Sequence, residues 1–321
     1  MKLATVKNDT PDGQLVLVSH DHSLGVVVPE PYATMAAAIA DWGNAKAVFE
    51  SLSAGLQEQS ADCIKLEDAM FMAPLPRTWA WLDGSAFIHH IVLIRKARNA
   101  PLPEELYERP LMYQGISDQS LGPFDDIKLI DESYGLDFEG EVSVIVDDVP
   151  AGISETDAAG HIKLLVLMND VSLRNLIPAE VKTGFGFIQS KPKSAYAPFA
   201  VSPDELGSAW KDSKVHLALS TRYNNEFFGH VNGDEMYFSF SQLIAHAAKT
   251  RDLSAGTIIG SGTFSNESED SGFSCIAEQR MIEKIETGEM KTPFMKIGDR
   301  VEMEMLNGDQ SIFGKINQIV S

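Results

Sequence analysis

The sequence predicts an α+β fold in which β-structure dominates, with a small domain at the N-terminus. Three observations predict it. The last third of the chain holds many short alternating runs, among them VHLALSTRYN, EFFGHVNGDEMYFSF, RVEMEML and SIFGKINQIV, separated by Asn, Gly and Asp turns. Helix formers at helical spacing cluster early, over 33–70. No regular strand–helix–strand alternation connects the two regions.

Taken in order, residues 1–28 read as β-hairpins, with turns at Asp12-Gly13 and around Ser23 to Gly25. ATMAAAIADW and AKAVFESLSAGLQEQ follow as helical stretches, so 1–70 form the small domain. FMAPLPRTW, with two prolines, crosses into the main body, 71–321. There DGSAFIHHIVLIRKARN (83–99) reads as a helix capped by Asp83, Gly84 and Ser85. Residues 135–147 read as a strand, and HIKLLVLMNDVSLRNLIP begins as one and turns polar. After Lys182 the short strands are interrupted by one helix, SQLIAHAAKTR.

Bulk charge narrows the function. With 26 basic and 46 acidic residues the chain carries −20, which disfavours nucleic acid and anionic membranes as partners. No apolar run reaches the roughly 20 residues of a spanning helix, and MKLATVKNDT has no apolar signal core. The two cysteines, Cys63 and Cys275, sit in no CxxC motif. A cytoplasmic protein with reduced thiols is expected.

The informative stretch is LDFEGEVSVIV, 136–146. Asp137, Glu139 and Glu141 alternate, so in a strand they share one face, opposite Phe138, Val142 and Val144. Either that face is solvated, or its carboxylates converge on a cation. Asp170, where an apolar run ends, and Asp83 could complete an all-oxygen site suited to Mg²⁺, Mn²⁺ or Ca²⁺ rather than Zn²⁺. Taken singly, Asp83 reads better as an ordinary helix cap and Asp170 as a turn residue. His90, seven residues after Asp83, could share a helix face with it and act as a general base, with His89 as competitor. Lys191, Arg95, Arg174 and Tyr113 could contact substrate oxygens or be ordinary surface residues. The glycines of TGFGF are not a dinucleotide fingerprint, and no P-loop, GxSxG or HExxH motif occurs.

DFEGE, then LMNDVSLRN about thirty residues on, then QSKPKSAYAP and LSAGTIIGSGTF, together resemble the fumarylacetoacetate hydrolase family over about 71–321. The first 70 residues look like that family's variable N-terminal part. The resemblance implies a mixed β-roll or β-sandwich, a homodimer, and a divalent cation, Mg²⁺ first and Ca²⁺ or Mn²⁺ next. It places metal ligands at Glu139, Glu141, Asp170 and Asp83, a catalytic base at His90 and a catalytic lysine at Lys191. Thr263 matches the family's (T/S)GT turn, and Arg95 and Tyr113 match substrate-contacting positions loosely. The expected reaction is hydrolysis of a carbon–carbon bond in a small β-diketo acid. Decarboxylation, isomerisation or hydration on the same scaffold, or metal-stabilised binding without turnover, are the alternatives. Ile177 or a neighbour stands where the family has a glutamine, and SGTF where many members have TGTP, which leaves the substrate open.

Overall fold

A computed structural model describes residues 1–58, 62–97, 99 and 101–321. Gln59 to Ala61, inside the first expected helical region, and Arg98, near the end of the second, lie outside the described residues.

The architecture is mixed α+β and sheet-rich. One large sheet runs, in spatial order, through Cys63–Lys65, Leu24–Val27, Gln14–Val18, Lys2–Val6, Ala200–Val201, Ile162–Asn169, Gly140–Val146, Ile258–Gly260, Trp81–Gly84 and Met112–Gly115. The N-terminal strands therefore extend the same sheet that carries the acidic strand, joined where Lys2–Val6 pairs with Ala200–Val201. A second sheet is built from Glu226–Asn232, Ala218–Tyr223, Arg300–Asn307 and Gln310–Ile319.

The large sheet is a middle layer, which explains its sequence. On one face Val142, Val144, Leu165 and Leu167 pack with Leu219, Val231, Met303 and Phe313 of the second sheet. On the other, Ile145, Leu164, Val166 and Ile258 pack with Met35, Ile39 and Phe49 from helices Met35–Ala40 and Trp42–Gln57. A strand covered on both sides needs apolar residues at successive positions, as LLVLM provides.

Three local expectations change. Asp83 is not a helix cap: it lies in the strand Trp81–Gly84, paired with Gly260 on one side and Tyr113 on the other. Sheet pairing on both edges holds it there, and the helix begins later, at Ile88. Asp83 and His90 therefore do not share a helix. The second N-terminal turn lies at Ser19 to Ser23, held by the Asp21 side chain accepting from the Ser19 and Ser23 hydroxyls, and Gly25 is already in the strand. Beyond Lys182 a second substantial helix, Ile276–Thr287, joins Phe240–Ala247.

Phe138 anchors the acidic segment. It is fully buried, with its ring 5.2 Å from Phe228 and 5.9 Å from Tyr223. Phe138→Ala is expected to lower the unfolding free energy by about 3–5 kcal/mol in urea titration. A loss under about 1 kcal/mol would contradict this packing.

Candidate active site

The site is a row of residues across neighbouring strands at one end of the large sheet. Glu141 pairs with Met168, two residues before Asp170. Ile258–Gly260 lies between the two acid-bearing strands, with Gly260 opposite Ser143 on one side and Asp83 on the other. Tyr113 follows, opposite Asp83. The alternating acids do not lie in water: Glu141 and Asp170 are 0% exposed, Glu139 4% and Asp83 6%.

Asp83, Glu141 and Asp170 converge, with one carboxylate oxygen from each within 4.8 Å of the others. Glu139 borders them, tied by the Asp170 N–H donating to its carbonyl and by its own N–H donating to Asn169 Oδ1. Asp137 diverges. The strand breaks after it, and its carboxylate accepts from the Ile276 and Ala277 N–H groups at the start of the helix Ile276–Thr287.

Two buried cations offset part of this charge. Lys191 Nζ donates to Glu139 Oε2 and Asp170 Oδ2, both at 2.5 Å, and to Ser172 Oγ at 2.8 Å. Arg174 donates through Nε to Asp137 Oδ2 and lies 2.8 Å from Glu139 Oε1 through Nη2. Lys191 is placed by the glycine-rich loop before it. Gly184, in the left-handed region at φ 75°, ends the helix Ile177–Thr183, and Glu180 then accepts from the Ile188, Gln189 and Ser190 N–H groups.

Burial and neighbouring charge divide the acids. For Glu139, burial opposes ionisation, but Arg174 and Lys191 outweigh it and hold the carboxyl well below the usual range. For Asp83, burial and then the Asp170 charge push it up to about 8. Burial, then Asp83 and Asp170, push Glu141 well above its ordinary value. Both Glu141 oxygens are buried without a hydrogen-bond partner. A Cβ at Gly260 would lie 2.3 Å from Asp83 Oδ1 and 3.3 Å from Glu141 Oε2, so only glycine leaves the space between those strands open. Partnerless carboxylate oxygens, a hard-oxygen donor set and a bare glycine fit a divalent cation.

A cavity of about 380 Å³ opens onto this row. His90 lines it, and its Nδ1 lies 2.6 Å from Glu278 Oε1. His89 turns elsewhere, to Ser265 Oγ. Tyr113, Arg174, Lys191 and Thr263 also line the cavity. Tyr113 additionally donates its hydroxyl to Asp170 Oδ2 at 2.6 Å. Arg95 is not brought to the wall. Ile94, one turn after His90, takes that face, and the next residue lies about 100° further round the helix.

Glu278 is the residue that sequence reasoning missed, together with its whole helix. The signal was present: Ala277, Met281 and Ile285 recur at i, i+4 and i+8, and Gly288 terminates the helix at φ 82°.

Metal binding is expected to be coupled to protons. Asp83 and Glu141 have raised proton affinity, so they must release protons to bind a cation near neutrality. Affinity for Mg²⁺ should therefore rise with pH through the range around 8 in which Asp83 loses its proton. Calorimetry on chelator-treated protein, repeated in buffers of different ionisation heat, should show one site per chain with proton release. Glu141→Gln should abolish that site, and Gly260→Ala should weaken it. Binding heat independent of the buffer would contradict the raised carboxyls.

The chain matches two family models: "Fumarylacetoacetate (FAA) hydrolase C-terminal" over 80–321 and "Fumarylacetoacetase N-terminal domain 2" over 1–77. It is 26% identical over 206 residues to the human mitochondrial oxaloacetate tautomerase FAHD2B, covering 61% of this chain and 59% of that protein. The chain thus spans little more than half the length of that relative. Among solved structures it resembles maleylpyruvate hydrolase from Sphingobium sp. SYK-6 in complex with manganese(II) and pyruvate, with TM-score 0.66, 16% identity and coverage of 100% and 98%. It also resembles 5-carboxymethyl-2-hydroxymuconate delta-isomerase from Mycobacterium smegmatis, with TM-score 0.61, 16% identity and coverage of 100% and 98%. With a converging carboxylate row in a mixed sheet, and family models spanning nearly its whole length, the chain belongs to the fumarylacetoacetate hydrolase family.

Proposed function

We propose that the protein hydrolyses a carbon–carbon bond in a 2,4-dioxo acid, and the observation that carries this is the His90–Glu278 pair on the cavity wall. Asp83, Glu141 and Asp170, bordered by Glu139, would hold the cation, with Mg²⁺ first among hard-oxygen candidates and Mn²⁺ or Ca²⁺ next. When bound, it would supply Lewis-acid polarisation of the substrate's oxygens.

The chain's own groups supply the proton chemistry. His90 Nδ1 donates to Glu278 Oε1, which leaves Nε2 as the ring's acceptor for a water proton. Glu278, 2% exposed, fixes the ring and offsets the charge the imidazole gains. The water oxygen adds to the acyl carbonyl carbon, and the bond from that carbon to the methylene breaks. The released electron pair delocalises onto the 2-oxo oxygen as an enolate, and protonation of the methylene completes a carboxylic acid and a 2-oxo acid. Burial alone would lower the Lys191 ammonium's proton affinity, but Asp170 and Glu139 outweigh it, so it stays charged and offsets negative charge that develops beside it. Burial and then the nearby Asp170 raise the Tyr113 phenol well above its ordinary value, so it stays a neutral donor.

A second reading is keto–enol tautomerisation of a 2-oxo acid. It is favoured by the tautomerase activity named for the human relative and the isomerase named for a structural neighbour. It uses the same proton-moving groups without adding water to a carbonyl.

Product analysis separates the two. With a 2,4-dioxo acid and Mg²⁺, hydrolysis yields two acids in equal amounts, whereas tautomerisation yields only exchange of the methylene hydrogens with solvent deuterium. His90→Ala is expected to lower kcat for cleavage about 10²–10⁴-fold. Glu278→Gln should cause a smaller loss, with metal affinity unchanged in both. Full turnover by His90→Ala would remove the His90 mechanism.

A further inference from the structure

A second group of ligand-type side chains lies at the cavity wall, and its sulfur takes no part in the proposed reaction. One ligand atom each from His90, Cys275 and Glu278 lie within 4.8 Å of one another. Nitrogen, sulfur and oxygen together are a donor set for Zn²⁺ and other thiophilic ions, whereas the carboxylate row offers oxygen alone. Cys275 and Glu278 are 0% and 2% exposed, and His90 lines the cavity, which gives an ion its way in.

Local structure brings the three together and leaves the sulfur unused. Cys275 directly precedes the helix Ile276–Thr287, at the position whose side chain ordinarily accepts from the first turn. Here it does not, because Asp137 takes the Ile276 and Ala277 N–H groups instead. Among the described residues the Cys275 Sγ makes no hydrogen bond. Glu278, three residues on, stands over the same first turn and meets His90 at 2.6 Å. Burial, then the Glu278 and Asp137 charges, push the thiol well above its ordinary value, so at rest it is protonated and unreactive. Arg174, the cation that acts on it, is paired with Asp137 and Glu139 and does not neutralise Glu278.

We propose that His90, Cys275 and Glu278 form a binding site for Zn²⁺ or another thiophilic divalent cation, separate from the carboxylate row, and that filling it stops turnover. Around a tetrahedral Zn²⁺, with bonds of about 2.0–2.3 Å, ligand atoms stand about 3.3–3.8 Å apart. Small side-chain rotations reach that arrangement, closing the wider gaps and opening the His90–Glu278 contact. Three protein ligands leave the fourth position to water. The ion displaces the thiol proton to solvent, and the imidazole keeps its single proton on the nitrogen that does not bind. No ring nitrogen is then left to accept a proton from water. The inhibition rests on the reading of His90 as the base; the binding does not.

The experiment is titration of Co²⁺, then Zn²⁺, into Mg²⁺-saturated protein, read by thiolate-to-Co²⁺ charge-transfer absorbance, beside Cys275→Ala and Cys275→Ser. The band is expected to saturate at a single Co²⁺ per chain, to be bleached by Zn²⁺ and to be missing in both variants, whose Mg²⁺ binding stays unchanged. Loss of the sulfur should weaken Zn²⁺ at least about 100-fold, since even residues that only support a ligand are worth about 10–100-fold in metal affinity. Two variants guard against a folding defect: serine keeps the volume, and alanine brings no new donor. Zn²⁺ should inhibit the Mg²⁺-supported turnover of the wild type, and at least about tenfold more of it should be needed with Cys275→Ser. No charge-transfer band, a band that survives in both variants and so comes from Cys63, or equal Zn²⁺ affinity with and without the sulfur would overturn the proposal. A sulfur-dependent band without inhibition would sink His90 as the base and leave the metal site standing. If neither a 2,4-dioxo acid nor a 2-oxo acid is turned over, the absorbance decides the site by itself.

Discussion

Everything in this protein is arranged around like charges held inside a sheet. Three carboxylates meet within 4.8 Å at one end of a middle layer covered on both faces. Removing even one ion from water carries a penalty of several kcal/mol, and neighbouring carboxylates add repulsion. The protein offsets this unevenly. Lys191 and Arg174 neutralise Glu139 and the Asp137 and Asp170 flanks, while Glu141 keeps both oxygens without a partner. That unevenness fits a site able to receive a cation better than it fits a closed salt-bridge network. The surrounding strands supply the rigidity it needs, since each acid is fixed by strand pairing or by the turn next to it.

The helix Ile276–Thr287 ties the acidic row to the chemistry beside it. Its first N–H groups are capped by Asp137, the strand acid left out of the converging group. That contact sets the helix against the acidic segment, so Glu278 in its first turn reaches His90. The next turns face the cavity with Arg280, Met281 and Lys284. One carboxylate in DFEGE thus acts structurally, and through the helix it positions a histidine that lies far away in sequence.

The electrostatics of the cavity run against those of the molecule. A net charge of −20 would repel a small anion, yet Arg174, Lys191, Arg280 and Lys284 all line the cavity. Local field inside a partly buried cleft outweighs screened charge on the outer surface. The same groups can serve bond cleavage or enolisation. In the proposed reading the difference lies in whether water reaches the carbonyl beside His90, and hydrolase, isomerase and tautomerase names occur among the protein's relatives and structural neighbours.

The sequence by itself determined the class of fold, the acidic strand and the hard-oxygen character of the site. Alternation in DFEGEVSVIV and the apolar run ending at Asp170 are local patterns, and residue type alone specifies what they can ligate. Motif order and spacing brought in Lys191 and the seven-residue interval from Asp83 to His90. Only the tertiary structure decided which segments are neighbours. It put Gly260 between Asp83 and Glu141, turned Asp83 from a helix cap into a strand residue, sent Asp137 to a helix end and set His90 rather than His89 on the cavity wall. It also moved Arg95 off the cavity and brought Glu278, Arg280 and Lys284 onto it. The physical reason is that strand pairing and helix docking join residues more than a hundred positions apart, and those contacts outweigh local cap and turn preferences that a short stretch of sequence can express.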